Sequence, residues 1–370
     1  MHRIPRLAWL FVLLSGPVFT PGGGHAQPYP VVTGTGAVFD VSRGREIAFT
    51  AYVPGAGFAG AAPVVLVSHG GQGSANGHTR LTHLGTEYAT WGYVAIHLNH
   101  LPSGANLVHR LDRPADVSFV LDQLESGSLS PPPSFTGTLD LERIAHVGHS
   151  WGAYTAMAVS GGEFDQGSFR DPRIKAACPI SPQGPGGFGA FDSGAYDNTW
   201  WPIEIPMFNL VGELEKNGPA GQFTTLGWRL IPYDRYPHFG DKYEVVLEDQ
   251  DHGDMGNHGS PATEAYVAQN TRAFLDVYLR GDESGACDIG SHADVPKTFR
   301  RKASILPSPL DACGDPHAVP GTTPFAEAVA VLALLCAAIT RLAREHEETL
   351  RSLVDPRALL RAGRDGRPKR

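Results

Sequence analysis

Residues 143–157 read RIAHVGHSWGAYTAM: an apolar run, then a serine with a glycine two places to either side, then a stretch of small residues. That order of residue types predicts a strand, a sharp turn and a helix. A serine on such a turn takes a strained backbone, so Gly148 and Gly152 must be small for strand and helix to approach. Its hydroxyl then projects from the C-terminal edge of a sheet. The helix N-terminus behind Ser150 favours negative charge developing nearby. Five residues occur by chance too often to decide the matter, so the meaning of this stretch depends on what surrounds it.

Working outward, several short runs rich in Val, Ile and Leu end in turn residues: PVVLVSHGG, GYVAIHLNH, RIAHVGHS, IKAACPISP, PMFNLVGE and YEVVLEDQDHG. Continuous apolar runs of this length are the pattern of strands covered on both faces. Helix-like segments separate them: RLTHLGTEYATW, RPADVSFVLDQLES, GAYTAMAVSG and ATEAYVAQNTRAFLDVYLRG. Alternating strands and helices imply an α/β fold with a mostly parallel central sheet and helices on both faces. An earlier pair, GAVFDVSRG and REIAFTAYVPG, alternates more clearly and predicts an antiparallel hairpin at the sheet edge. No internal repeat is visible.

The chain has 370 residues, 42% hydrophobic and 18% charged, which is a globular composition. A net charge of −8 argues against a general nucleic-acid partner. Residues 341–370 hold 9 basic and 5 acidic side chains, so this tail is +4 and the remainder −12. At the other end, Arg3 and Arg6, the apolar stretch Leu7 to Leu14, and Gly24-His25-Ala26 before Gln27 predict a signal peptide over residues 1–26. The expected destination is secretion or the periplasm.

The predicted domain spans residues 27–285 and is followed by a Pro-rich extension over 286–323. Export permits a disulfide, and Cys287 and Cys313 in this extension are the natural pair. Cys178, inside an apolar run, reads as an inert buried thiol, and Cys336 fits either role. Residues 324–343 form an apolar stretch and residues 344–370 the basic tail. The uninterrupted part, Ala328 to Ile339, would rise about 18 Å as a helix against a hydrocarbon core of about 30 Å. With Glu327 and Arg341 at the interfaces it is a candidate membrane anchor. The alternative is a helix packed on the domain or on another copy.

A nucleophilic serine needs a base, and among 16 histidines His252 stands on a loop after a late strand, in YEVVLEDQDHG. His258 is the reserve, and His149 reads as structural. The acid should fall between serine and histidine in the chain. PMFNLVGELEKNG offers Glu215, three residues after Gly212, ahead of Glu213, with Asp192 and Asp197 in the preceding loop as further choices. Such an acid orients the histidine and stabilises its charged form without taking the proton. An oxyanion needs donors: His69-Gly70-Gly71 ends an early strand, where missing side chains let the Gly71 N–H approach a substrate, and Trp151 supplies the second N–H. Trp200 and Trp201 are candidate walls of a substrate pocket. Asp251, His252, Asp254 and His258 cluster but lack a recognised metal-ligand spacing, so no metal is expected. No dinucleotide motif or P-loop is present, so no cofactor is expected.

These pieces, in this order, resemble the α/β-hydrolase superfamily. VSHGGQGS, WGYVAIHLNH, LDRPADVSFVLDQL, HVGHSWGAYTAM and FLDVYLRGD look like its predicted dienelactone-hydrolase and platelet-activating-factor-acetylhydrolase-like group, over about residues 31–285. By position, the resemblance implies Ser150 as nucleophile, His252 as base, and Gly71 and Trp151 as oxyanion donors. The family's acid is usually aspartate, whereas Glu215 stands there here. Dienelactone hydrolases proper use a cysteine nucleophile, so Ser150 moves the chain towards serine esterases. The expectation is an exported serine esterase acting on small, lipid or polymer esters, which includes lipase- or phospholipase-type acyl hydrolysis and polyester cleavage. The reading from another class is a non-catalytic binding protein on a hydrolase fold.

Overall fold

The computed structural model describes residues 28–71, 76–100, 106–164, 167–186, 199–215, 225–290, 297–302 and 304–309. Its elements, in chain order, are β1 (Val31–Asp40), β2 (Arg45–Pro54), β3 (Ala61–Ser68), α1 (Thr82–Thr90), β4 (Val94–Leu98), α2 (Asn106–Glu125), β5 (Thr138–His149) and α3 (Trp151–Val159). They continue with β6 (Glu163–Phe164), β7 (Gly167–Ser168), β8 (Ile174–Ile180), β9 (Met207–Gly212), α4 (Leu226–Arg235), β10 (Lys242–Leu247), α5 (Pro261–Arg280) and β11 (Lys297–Lys302). Among the described residues, nine strands form one sheet in the order β1-β2-β4-β3-β5-β8-β9-β10-β11, and β6 pairs with β7 apart from it. Every pair from β4 to β10 is parallel, while β1–β2, β2–β4 and β10–β11 are antiparallel. The protein is therefore α/β, with a large, mostly parallel central sheet flanked by helices.

The apolar runs are continuous because both faces of the sheet are covered. In β3, Val65 and Val67 pack with Leu84 and Tyr88 of α1 and Phe274 of α5. The alternate residues Val64 and Leu66 pack with Val117, Val120 and Leu121 of α2. The two-residue period of a strand sends neighbours to opposite faces, and each face meets its own helix layer. Each fully buried aliphatic side chain contributes about 1.5–3 kcal/mol to this packing.

The helices carry their own signals. Ser260 caps α5 by accepting the Thr263 N–H at 3.1 Å, Pro261 opens it, and Gly281 at φ 70° ends it in the left-handed region. Helix α2 begins before Arg113-Pro114, where the sequence pattern places its start, and holds Pro114 inside it. An interior proline has no N–H for the carbonyl four residues back. That carbonyl, of Arg110, accepts the Tyr154 hydroxyl of α3 at 2.9 Å instead, so the interruption becomes a link between α2 and α3.

Strand β11 lies within the segment read from the sequence as a Pro-rich extension, yet it completes the sheet edge beside β10. Its composition, KTFRRK, hid it. Side-chain hydrogen bonds hold it there: Arg300 donates to the buried Glu244 of β10 and to Asp234 at 3.0 Å, and Lys302 donates to the Tyr233 carbonyl at 2.6 Å. A charged edge also discourages further strand pairing.

Cys178 is buried and free, and burial pushes its thiol well up. Cys287 is disulfide-bonded, while Cys313 and Cys336 lie outside the described residues. All described residues belong to one compact unit, Met1–Cys313. The expected signal peptide, apolar stretch and basic tail also lie outside them. No described helix is long and apolar enough to cross a membrane.

Candidate active site

Ser150 sits between β5 and α3 at φ 55°, ψ −115°, a backbone conformation rare for a residue with a side chain. Its N–H donates to the Ile180 carbonyl at 2.9 Å, and its carbonyl accepts the Gln183 amide at 2.7 Å. The two flanking glycines are explained by contact. A Cβ on Gly148 would fall on the Gly152 carbonyl, and one on Gly152 on the Ser68 carbonyl. The β5 turn, α3 and the end of β3 are pressed together at backbone distance, so the serine is held at the N-terminus of α3.

His252 stands on the loop after β10, with Nε2 3.0 Å from Ser150 Oγ and Nδ1 2.9 Å from Glu215 Oε2. Glu215, just past β9, has a fully buried side chain, whereas the His252 side chain is 20% exposed. Carboxylate Oε1 accepts the Ser181 hydroxyl at 2.6 Å and the Gly212 N–H at 2.9 Å. Oε2 meets Arg229 Nε at 2.5 Å. Burial alone would raise this carboxyl, but the Arg229 charge and the His252 hydrogen bond outweigh it and hold Glu215 below its ordinary value. With an ionised acceptor on one side, the imidazole carries its proton on Nδ1, donated to Glu215, and turns a bare Nε2 to the Ser150 hydroxyl. Of the other acids weighed, Glu213 is exposed and, among the described residues, accepts the Asp249 N–H at 3.3 Å; Asp192 and Asp197 lie outside the described residues. His258 is exposed.

His149 has a more specific task than packing. Its Nε2 donates to the His252 carbonyl at 2.9 Å and its ring lies 4.7 Å from the His252 ring. Burial, with the neighbouring His252 second, pulls it down to about 3, so it is an uncharged strut under the His252 loop.

The His69-Gly70-Gly71 turn after β3 is fixed from three sides. His69 Nε2 accepts the His100 N–H at 3.1 Å, so its proton is on Nδ1 and is donated to the Gly70 carbonyl at 2.7 Å. Arg113 of α2, fully buried, donates to the His69 carbonyl at 2.8 Å and the Gly71 carbonyl at 2.5 Å. Because a trans peptide opposes its C=O and N–H, tethering the Gly70 carbonyl also sets the direction of the Gly71 N–H. A Cβ on Gly70 would lie 3.2 Å from Ser150 Cβ, so this turn abuts the serine. Gly71 takes φ 78°, which suits glycine.

Behind the turn lies a buried polar chain. Ser68 Oγ is 2.8 Å from His100 Nε2 and 2.9 Å from His146 Nε2, and His100 Nδ1 is 2.9 Å from Asp116. Asp116 also receives Arg43 and Arg45, each at 2.8 Å. Burial opposes its ionisation, but hydrogen bonding to His100 and the two arginines pull it down to about 2.

The pocket candidates separate: Trp200 is fully buried with Trp151 and Tyr154, whereas Trp201 is 60% exposed. Among the described residues no group of three or more His, Cys, Asp or Glu could hold a metal ion. The structure thus brings together Ser150, His252, Glu215 and the Gly71 turn, from four separate loops. It adds Arg229, Ser181, His149 and Arg113, for which the sequence carried no spacing signal. Neither the comparison with family models nor that with curated proteins gives a match.

Proposed function

We propose that this chain is a serine hydrolase of carboxylic esters with the α/β-hydrolase fold, akin to the dienelactone-hydrolase and platelet-activating-factor-acetylhydrolase-like group. The observation that carries this is the continuous relay from Ser150 Oγ through His252 to Glu215, with hydrogen bonds of 3.0 and 2.9 Å ending on a strained serine. The parallel sheet with the serine at its C-terminal edge supports the family reading. The N-terminal signal pattern supports export, and the apolar stretch 324–343 supports membrane association.

In this mechanism Ser150 Oγ attacks the ester carbonyl while His252 Nε2 takes its proton. Glu215 stays ionised and stabilises the imidazolium. The N–H groups of Gly71 and Trp151 hold the oxyanion, each such donor contributing about 3 kcal/mol in the transition state. Collapse expels the alcohol, which leaves with the proton from His252. Water, deprotonated by the same histidine, then attacks the acyl-enzyme and releases the acid and Ser150.

Labelling by a fluorophosphonate together with turnover of short and long p-nitrophenyl esters tests the reading. Wild type is expected to label and turn over, and Ser150→Ala to do neither. Labelling that survives in Ser150→Ala, or a well-folded wild type inert to all esters, refutes it and favours a binding role for the fold.

A further inference from the structure

We propose that Arg229 is a positioning residue for this site: its guanidinium fixes Glu215 as the partner of His252 and opposes the positive charge that His252 takes up, keeping the base available at lower pH. The inference rests on the reading of Ser150, His252 and Glu215 as a catalytic set.

Arg229 projects from α4 and is 2% exposed. Its Nη1 donates to the Ser181 carbonyl at 2.8 Å and the Pro182 carbonyl at 3.1 Å, anchoring the group to the turn after β8. Its Nε lies 2.5 Å from Glu215 Oε2, the oxygen that also receives His252 Nδ1. Its Nη2 lies 3.2 Å from His252 Nδ1. Arginine only donates, and Nδ1 is already donating to Glu215, so this last contact sets donor against donor. When His252 gains a second proton, a full positive charge arises beside the guanidinium in a buried setting, where screening is weak.

A lone buried carboxylate would attract that proton strongly. Here Glu215 and Arg229 largely cancel, and His252 charges beside a nearly neutral pair. Of the other titratable groups around His252, Asp251 attracts its charge, but from an exposed position where solvent screens it. His149, from the end of β5, is uncharged. In the loop itself, Asp251 turns Oδ1 to the amides of Gly253 and Asp254, Asp254 accepts the Asp251 N–H, and His258 is exposed. Ser181, at φ 55°, completes the device by donating its hydroxyl to Glu215 while Arg229 holds its carbonyl.

The test is kcat/KM for p-nitrophenyl butyrate against pH in wild type, Arg229→Gln and Arg229→Lys. Removing the charge is expected to move the acid limb up by about half a unit or more, whereas lysine keeps it within about 0.2 unit. A limb unmoved in Arg229→Gln, with only its height lowered, is the signature of a purely structural role and overturns the proposal. So does an equal displacement in Arg229→Lys. Arg229→Met and Arg229→Leu are further neutral variants, read in the same way as Arg229→Gln, and a displaced limb in Arg229→Lys overturns the proposal whatever they show. Nitrogen-15 NMR titration of His252 in the resting protein reads the same displacement without turnover. An inert wild type would therefore sink the hydrolase reading while leaving the charge coupling measurable.

Discussion

At the scale of single residues, Glu215 and Glu213 stand two places apart on one turn, and their environments separate them. Glu215 is enclosed, takes hydrogen bonds from Ser181 and Gly212, and reaches His252. Glu213 faces solvent. Glu215→Gln is expected to lower kcat by about 10³–10⁴-fold, because a neutral amide neither fixes the Nδ1–H tautomer nor stabilises the imidazolium. Glu213→Gln should stay within about twofold, as exposed charges distant from the reacting atoms do little. Ester kinetics of the two variants check this, and comparable losses in both would remove Glu215 from its place. Glycines 148 and 152 were legible in the sequence for the reason the structure bears out: each faces a backbone carbonyl that leaves no room for Cβ. Arg229 was not legible, since LGWRLIPYDR carries no pattern that marks one arginine as facing a carboxylate fourteen residues upstream.

At the scale of elements, the buried strands announced themselves because both their faces are apolar, and the β1–β2 hairpin because one of its faces is not. Strand β11 did the opposite. Four of its six residues are basic, so no apolar periodicity exists to read, and its pairing is specified by acids of β10 and α4 that meet it only in the folded chain. Burial, outweighing the Arg300 charge, raises Glu244 to about 8. Arg300→Ala would leave that carboxyl without its main hydrogen-bond partner, and we expect a loss of about 1–3 kcal/mol, moderated by the partial exposure of Arg300. Urea denaturation measures it. Replacing Glu244 by Gln in the same protein should recover part of the loss, and a null effect of Arg300→Ala would mean that β11 is held by its backbone pairing alone.

At the scale of the whole molecule, the buried chain Ser68–His100–Asp116 with Arg43 and Arg45 ties the β1–β2 edge to α2 and to the end of β4, behind the turn that carries Gly71. Asp116 is depressed in the folded state to about 2 from an ordinary value near 4. A depressed carboxylate contributes stability that is present above its unfolded value and is lost as pH falls through the folded one. For Asp116 that contribution is about 2 kcal/mol, lost between about pH 4 and pH 2. Asp116→Asn should therefore lower stability at neutral pH and run shallower than wild type across that window. Urea midpoints against pH measure the difference, and parallel curves for the two proteins would contradict it. Sequence by itself determined the alternation of strands and helices, the serine turn and the order of serine, acid and histidine, because these rest on local periodicity, on turn chemistry and on chain order. Only the tertiary structure decided which glutamate meets His252, that an arginine shares its oxygen, and that a basic strand closes the sheet. Those are contacts between distant segments, and their partners are chosen by packing rather than by spacing along the chain.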